Sequence, residues 1–264
     1  MKKLSVLLAL TLSITVRAQT FSTMEINSLK KEAKHITIIK DKWGVPHVYA
    51  KTDAQVVFGM MYVQCEEFFD KVEATLISRL GRQAESDGES AVYKDLWSRI
   101  FTDSAQAKSQ YIQSPKWLRR LCDGFAGGIN FYMISHPEKK SKLITRAESW
   151  MCLMNDIPSL SGSNVSEENF AALYSKKVLM LPSNVSMPER SGFSEPAGSN
   201  GWAIAPSRTK NKKAMLLINP HAEFYGRIEI QLVSKRGLNS YGAPFLGQFN
   251  IFQGFNRRYY CGNI

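Results

Sequence analysis

Histidine and cysteine are both scarce, with four of each in 264 residues. No HExxH run and no CxxC pair occurs, which excludes the usual ligand spacings of a zinc hydrolase. The G-x-S-x-G elbow of α/β-hydrolases is also absent. Cys65, Cys122, Cys152 and Cys261 do not define a disulfide framework in a chain this long, although an oxidising compartment permits a disulfide. Cys65 lies among apolar helix positions and reads as a small core residue. There are no internal repeats. After the first residues, no apolar run is long enough to cross a membrane. The net charge is +11, but the basic residues are scattered among acids. Lys139-Lys140, Lys176-Lys177 and Lys210 to Lys213 read as solvated loops or helix ends. With no zinc-finger or aromatic RNA-binding motif, nucleic acid is not an expected partner.

The hydrophobic fraction is 44% and the charged fraction 22%, values of an ordinary globular protein with room for a sizeable core. Residues 1–18 have the form of an export signal. Lys2 and Lys3 precede an apolar stretch from Leu4 to Val16, and Val16-Arg17-Ala18 suits a cleavage site. This predicts a periplasmic or secreted protein with no membrane association once the signal is removed.

Hydrophobic periodicity predicts strands at His35–Ile39 and Val45–Ala50 around a turn with Gly44. A long helix follows, capped by Thr52 or Asp53 and ending near Gly81. Its apolar side holds Val56, Val57, Met60, Val63, Cys65 and Phe68, and its acidic side Glu66, Glu67, Asp70 and Glu73. Ser114-Pro115 predicts a second long helix, with Ser114 as N-cap and Pro115 at the first position, running towards His136-Pro137. Gly127-Gly128 within it predicts a close helix contact or a kink. Residues 155–198 change character. Ser, Asn and Pro punctuate them around a short helical patch near Glu167 to Lys176. They read as a spacer between a mostly helical region, 19–154, and a β-rich region, 199–264. Strands are expected at Asn200–Ala205, Ala214–Ile218 and Ile228–Ser234, with turns at Asn211 and Lys235-Arg236-Gly237.

Gly198-Ser199 closes the spacer and opens the first of these strands. A cut between them makes Ser199 a new N-terminus. One residue then carries a nucleophilic hydroxyl and an α-amine, whose ordinary pKa of about 8 lets it take up the proton. A strand-turn-strand pairing would bring His221, with the adjacent Asn219-Pro220, beside Ser199, where the imidazole would position the hydroxyl or amine. Residue chemistry alone leaves Ser199 and His221 open between this role and ordinary structural ones.

Gly198-Ser199-Asn200-Gly201-Trp202-Ala203-Ile204-Ala205-Pro206-Ser207-Arg208-Thr209, followed by Asn219-Pro220-His221, resembles the start of the catalytic chain in the penicillin acylase family of N-terminal nucleophile hydrolases. The segment from Asp41 to Ala54, with Phe58-Gly59 and Tyr62-Val63-Gln64, resembles that family's small chain. Gly237-Leu238-Asn239, Tyr241-Gly242-Ala243 and Gln253-Gly254-Phe255-Asn256 continue the likeness.

The resemblance implies an α+β fold, the four-layer αββα sandwich. It implies an exported precursor that cuts itself before Ser199 and whose small and large chains stay associated. Ser199 would be the nucleophile and its amine the base. His221 would contact the nucleophile, and Asn219 would stand where many members carry Asp. The substrates would be N-acylated small molecules such as penicillins or acyl-homoserine lactones. Catalysis needs no cofactor; a structural calcium is implied, with no ligands identified here.

Members of the family extend well beyond position 264, so the sandwich is expected to be incomplete. A truncated, inactive remnant and a non-catalytic exported binding protein are the alternatives. Phe224, Tyr225, Phe245, Phe249 and Phe252 suit an acyl pocket or ordinary core packing.

Overall fold

Asp41 closes the first turn of the sheet: its carboxylate accepts hydrogen bonds from the Trp43 and Val45 amides, at 2.8 and 2.9 Å. Gly44 supplies the left-handed residue there, at φ 82°. Strands β1 (Thr37–Lys40) and β2 (Pro46–Ala50) consequently pair antiparallel, with Pro46 at a strand start, where its missing N–H does least harm. The structure is a computed structural model and describes residues 21–101, 103–154, 199–220, 227–256 and 260–261. The expected signal and spacer lie outside them.

Helix α1 (Thr23–Ala33) precedes β1, and helix α2 (Asp53–Arg79) follows β2. Thr52, not Asp53, is the N-cap of α2. Its hydroxyl accepts from the Gln55 amide, and the Gln55 side chain accepts from the Thr52 amide. Phe68 leaves helical geometry, at φ −145° and ψ 50°, and kinks the helix. Val56, Met60, Val63, Cys65, Val72 and Leu76 on α2 are buried. Short helices α3 (Gln83–Asp87), α4 (Val92–Phe101) and α5 (Ser104–Gln113) lead to α6 (Lys116–Ser135).

The start of α6 corrects the sequence expectation. Pro115, in extended geometry, is its N-cap, while Ser114 closes α5 by donating its hydroxyl to the Gln110 carbonyl. A serine four residues beyond a free helical carbonyl has that alternative acceptor, which the Ser-Pro pattern alone does not reveal.

Helix α6 lies against α2 through a stripe of glycines. A Cβ on Gly124 would stand 2.3 Å from the Ala54 carbonyl oxygen, and one on Gly128 2.2 Å from that of Phe58. The glycines thus make a close helix contact rather than a kink. Gly128→Ala is expected to force the two backbones apart and cost about 1–3 kcal/mol, as overpacking does. Urea unfolding of the variant beside wild type measures it.

A second correction concerns Glu73. It does not share the exposure of the acidic side on which its spacing placed it: it is 2% exposed. It accepts from the backbone amides of Lys142, Leu143 and Ile144, at 2.8 to 2.9 Å. Glu66 and Glu67, by contrast, stay near the surface and pair with Lys40.

Beyond residue 198 come β3 (Ser199–Ile204), β4 (Met215–Pro220), β5 (Ile230–Ser234), β6 (Asn239–Ala243), β7 (Gln253–Asn256) and β8 (Tyr260–Cys261). The turn into β6 carries Gly237 at φ 105°, as the Lys-Arg-Gly sequence predicts. Six strands form one sheet in the order β1-β2-β5-β6-β7-β8, whereas β3 and β4 form a separate two-stranded sheet. The parallel pairing of β2 with β5 joins segments on either side of residues 155–198. Val48, Ile230 and Leu232 turn the helix-facing side of the sheet into the core with α2 and α6. Gln64 and Arg79 on α2 tie down the loop before β7. Gln64 accepts from the Gly247 amide and donates to the Gln248 carbonyl, and Arg79 donates to the Gly247 carbonyl. The expected α+β class is what the structure has, with a helical layer on one face of the six-stranded sheet.

Candidate active site

Thr209 and Asn211 shape the hairpin that carries Ser199. The Thr209 hydroxyl donates to the Pro206 and Lys213 carbonyls, at 3.1 and 2.7 Å, and the Asn211 side chain accepts from the Lys213 amide. Lys212 takes the left-handed conformation, at φ 54°. This turn sets the register of β3 against β4: Ile204 opposite Met215 at the turn, Asn200 opposite Asn219, and Ser199 opposite Pro220 at the open end. Ser199 is therefore the first residue of its strand, paired with the residue that precedes His221 in the chain. Asn219 is exposed, one pair further in. Gly198 and His221 lie outside the described residues.

The hairpin carries apolar side chains that the described residues leave open. Trp202 is 65% exposed, and Ile204, Met215, Leu216 and Leu217 are exposed with it. Exposed apolar side chains grouped in this way are the composition of an interaction surface.

A second surface escaped the sequence reading. Adjacent strands of the six-stranded sheet place Ile39, His47, Gln231, Tyr241 and Phe255 in one cross-strand row. Val48 and Ile230, their chain neighbours, are buried on the helix side, so this row looks away from the helices. Its polar members are linked. His47 Nδ1 lies 2.5 Å from Gln231 Oε1, Gln231 donates to Asn239, and the Tyr241 hydroxyl donates to Glu229. Desolvation, then the hydrogen bond to Glu229, pushes Tyr241 up to about 12. Burial raises Asp41, but the Trp43 and Val45 amides and His47 outweigh it and hold the carboxyl below its ordinary value. A cavity of about 320 Å³ opens here, lined by Gln231, Asn239, Tyr241, Phe255 and Asn256. Alternation of period two in β5 was the available signal, with Gln231 between Ile230 and Leu232.

Of the aromatic residues named from the sequence, Phe249 packs against the core beside Phe125. Phe245 and Phe252 pack against each other at a tilt, with the Arg227 guanidinium over both rings. Phe224 and Tyr225 lie outside the described residues. A groove of about 590 Å³ between α1, the start of α2 and α6, lined by Phe58, Trp117, Arg120 and Arg236 among others, contains none of the predicted site residues.

Among the described residues, no three His, Cys, Asp or Glu side chains gather in a metal-holding group. The buried carboxylates have other partners: Glu73 three amides, and Asp95 the amides of Gln83 and Ala84. Glu73 and Asp95 are thus engaged by backbone amides and are not candidate ligands for the calcium that the resemblance implies. Nor is any helix among them long and apolar enough to cross a membrane.

A helical layer on a mixed sheet, built from both sides of the 155–198 stretch, with a serine-headed hairpin opening the second segment, defines an α+β protein of two interlocked segments. Residues 35–259 match the family described as penicillin amidase, and the chain belongs to that family. Among curated relatives, the acyl-homoserine lactone acylase QuiP of Pseudomonas fluorescens (strain Pf0-1) is 23% identical, over 86% of this chain and 35% of its own length. The penicillin acylase 2 proenzyme of Pseudomonas sp. (strain SE83) is 21% identical, over 72% of this chain and 30% of its own. The chain thus spans about a third of the length of these relatives. Among solved structures, the thermostable penicillin G acylase of Alcaligenes faecalis is 19% identical, with a TM-score of 0.43, and the match covers 58% of this chain and 97% of that one.

Proposed function

We propose that this chain carries the small-chain and nucleophile segments of an exported, self-processing hydrolase of linear amide bonds. The observation that carries this reading is the register of the hairpin, with Ser199 first in β3 and opposite Pro220, within the stretch matched to the penicillin amidase family. The word proenzyme in the name of one relative favours processing.

In this reading the Ser199 hydroxyl attacks the Gly198 carbonyl, the acyl group shifts from nitrogen to oxygen, and water hydrolyses the ester. The freed α-amine of Ser199 then serves as base. It takes the hydroxyl proton as the oxygen attacks a substrate amide, the amine product leaves, and water releases the acid from the acyl-enzyme. His221 positions the hydroxyl or the amine, and Asn219 supports the same end of the hairpin. This chemistry needs no cofactor. The two product chains stay together because β2 and β5 belong to one sheet and α2 holds the Gly247 loop. The substrates are N-acylated small molecules of the kind named in the relatives, acyl-homoserine lactones or penicillins. The signal-like residues 1–18 support export to the periplasm or beyond.

Incubating the full-length gene product with an acyl-homoserine lactone and with phenylacetylated amines is expected to release free amine. No amine release from any N-acyl compound would overturn the assignment. It would favour the second reading, a non-catalytic acyl-ligand binder, to which the separation of the Ser199 hairpin from the six-stranded sheet speaks.

A further inference from the structure

Two of the cysteines lie together. Cys122 is on the second turn of α6, and Cys152 is in the 3₁₀ turn Ser149–Leu153 that packs against that helix. Their thiols lie close enough for each to shift the proton affinity of the other. The segment leading to Cys152 is clamped onto α6 by a reciprocal pair: Asn130 donates to the Ala147 carbonyl and accepts from the Ala147 amide, at 2.9 and 2.8 Å. Cys122 is buried and Cys152 half-buried, its thiol donating to the Ser149 carbonyl at 3.0 Å. Cys65 is elsewhere, fully buried in the core, where burial raises its pKa.

We propose that Cys122 and Cys152 form a disulfide that staples the end of the helical region to α6 once the chain reaches an oxidising compartment. The compartment, though not the pairing, rests on the export reading above. The oxidant is a disulfide, either of a thiol oxidoreductase or of glutathione. One of the two cysteine thiolates attacks one of its sulfurs and displaces the other as thiolate. The other cysteine thiolate then attacks the sulfur of the first, closing the intramolecular bond and releasing the second thiolate. Two protons and two electrons leave the protein, and the oxidant becomes two thiols. The neighbouring Cys152 thiol lowers the Cys122 pKa while Cys122 raises that of Cys152, so Cys122 gives up its proton more readily.

The staple has a definite place in the processing scheme. Both cysteines precede residue 155, so the bond lies on one side of the Gly198–Ser199 junction. It fixes the point at which the 155–198 stretch departs, and it does not link the two product chains.

The full-length protein, equilibrated with glutathione disulfide, alkylated and digested, tests the pairing. The expected result is one cross-linked peptide pair containing Cys122 and Cys152, with Cys65 alkylated only after unfolding. Closing a loop of this size should raise the melting temperature by roughly 10 °C, a gain that dithiothreitol removes. The Cys152→Ala variant should lose that sensitivity to reductant. Both cysteines remaining alkylatable, or Cys122 linked to any other cysteine, would overturn the proposal. Alkylation in intact cells separates the two readings. A pair that oxidises with glutathione but is reduced in the cell counts against export, while the pairing stands.

Discussion

Ser199→Ala is expected to abolish both cleavage of the precursor and amide hydrolysis. The same hydroxyl attacks the Gly198 carbonyl in the first reaction and the substrate carbonyl in the second, and alanine has no atom that can replace it. The loss of turnover should be on the order of 10⁴-fold or more, the scale of removing a covalent nucleophile. Ser199→Cys separates the two uses. A thiolate attacks a neighbouring carbonyl readily, so this variant should still be cut. Its turnover depends on how the terminal amine handles a thiol proton in place of a hydroxyl proton. Gel analysis of the precursor gives the first result, and an amine-release assay the second. A Ser199→Ala protein that is cut normally would remove Ser199 from the scheme.

Glu73→Ala should be the most damaging change away from the hairpin. The carboxylate holds the 142–144 turn onto α2 through three backbone amides. Truncation leaves those donors without their acceptor, the Ile144 amide fully buried, at a cost of roughly 3–5 kcal/mol. Glu73→Gln retains the shape but turns an NH₂ group towards at least one backbone N–H, so it should recover only part of the loss. Urea denaturation of wild type and both variants measures the effect. A change below about 1 kcal/mol would mean that the turn finds other acceptors.

Glu73 also shows where the sequence stopped being informative. Helical spacing made α2 legible, together with its Thr52 cap and its apolar side. A glutamate beside Asp70 reads as solvated, yet Glu73 shares a helix face with Phe69, Val72 and Leu76, all buried. That spacing hinted at an inward direction, but the amides that satisfy the charge lie about 70 residues away in the chain. The β1–β2 and β3–β4 hairpins were legible because their turn residues, Asp41-Gly44 and Thr209-Asn211, carry local hydrogen-bonding instructions.

Strands β6 and β7 were not predicted as strands from apolar alternation. Asn-Ser-Tyr-Gly-Ala and Gln-Gly-Phe-Asn have none, and they become strands through pairing. Gly242 and Gly254 explain their composition: a Cβ on Gly242 would meet the Gln253 carbonyl at 2.2 Å, and one on Gly254 the Tyr241 carbonyl at 2.4 Å. The parallel β2–β5 pair, which unites the two segments, is non-local and carries no sequence signature of its own.

The candidate site was legible in part for the same reason. Strands at Asn200–Ala205 and Ala214–Ile218 around a turn at Asn211 were expected from local chemistry, and β3 and β4 do face each other, each running a residue or two further to take in Ser199 and Asn219. The row from Ile39 to Phe255 as a whole was not legible, since it exists only once five strands lie side by side, although the alternation in β5 marked Gln231.

The central claim is that Ser199 becomes an N-terminal residue. N-terminal sequencing of the protein isolated from its native host tests it most directly. Two chains are expected, one of them beginning Ser-Asn-Gly-Trp-Ala-Ile. A single uncut chain in which Gly198 and Ser199 remain joined, in preparations that hydrolyse N-acyl amides, would contradict it.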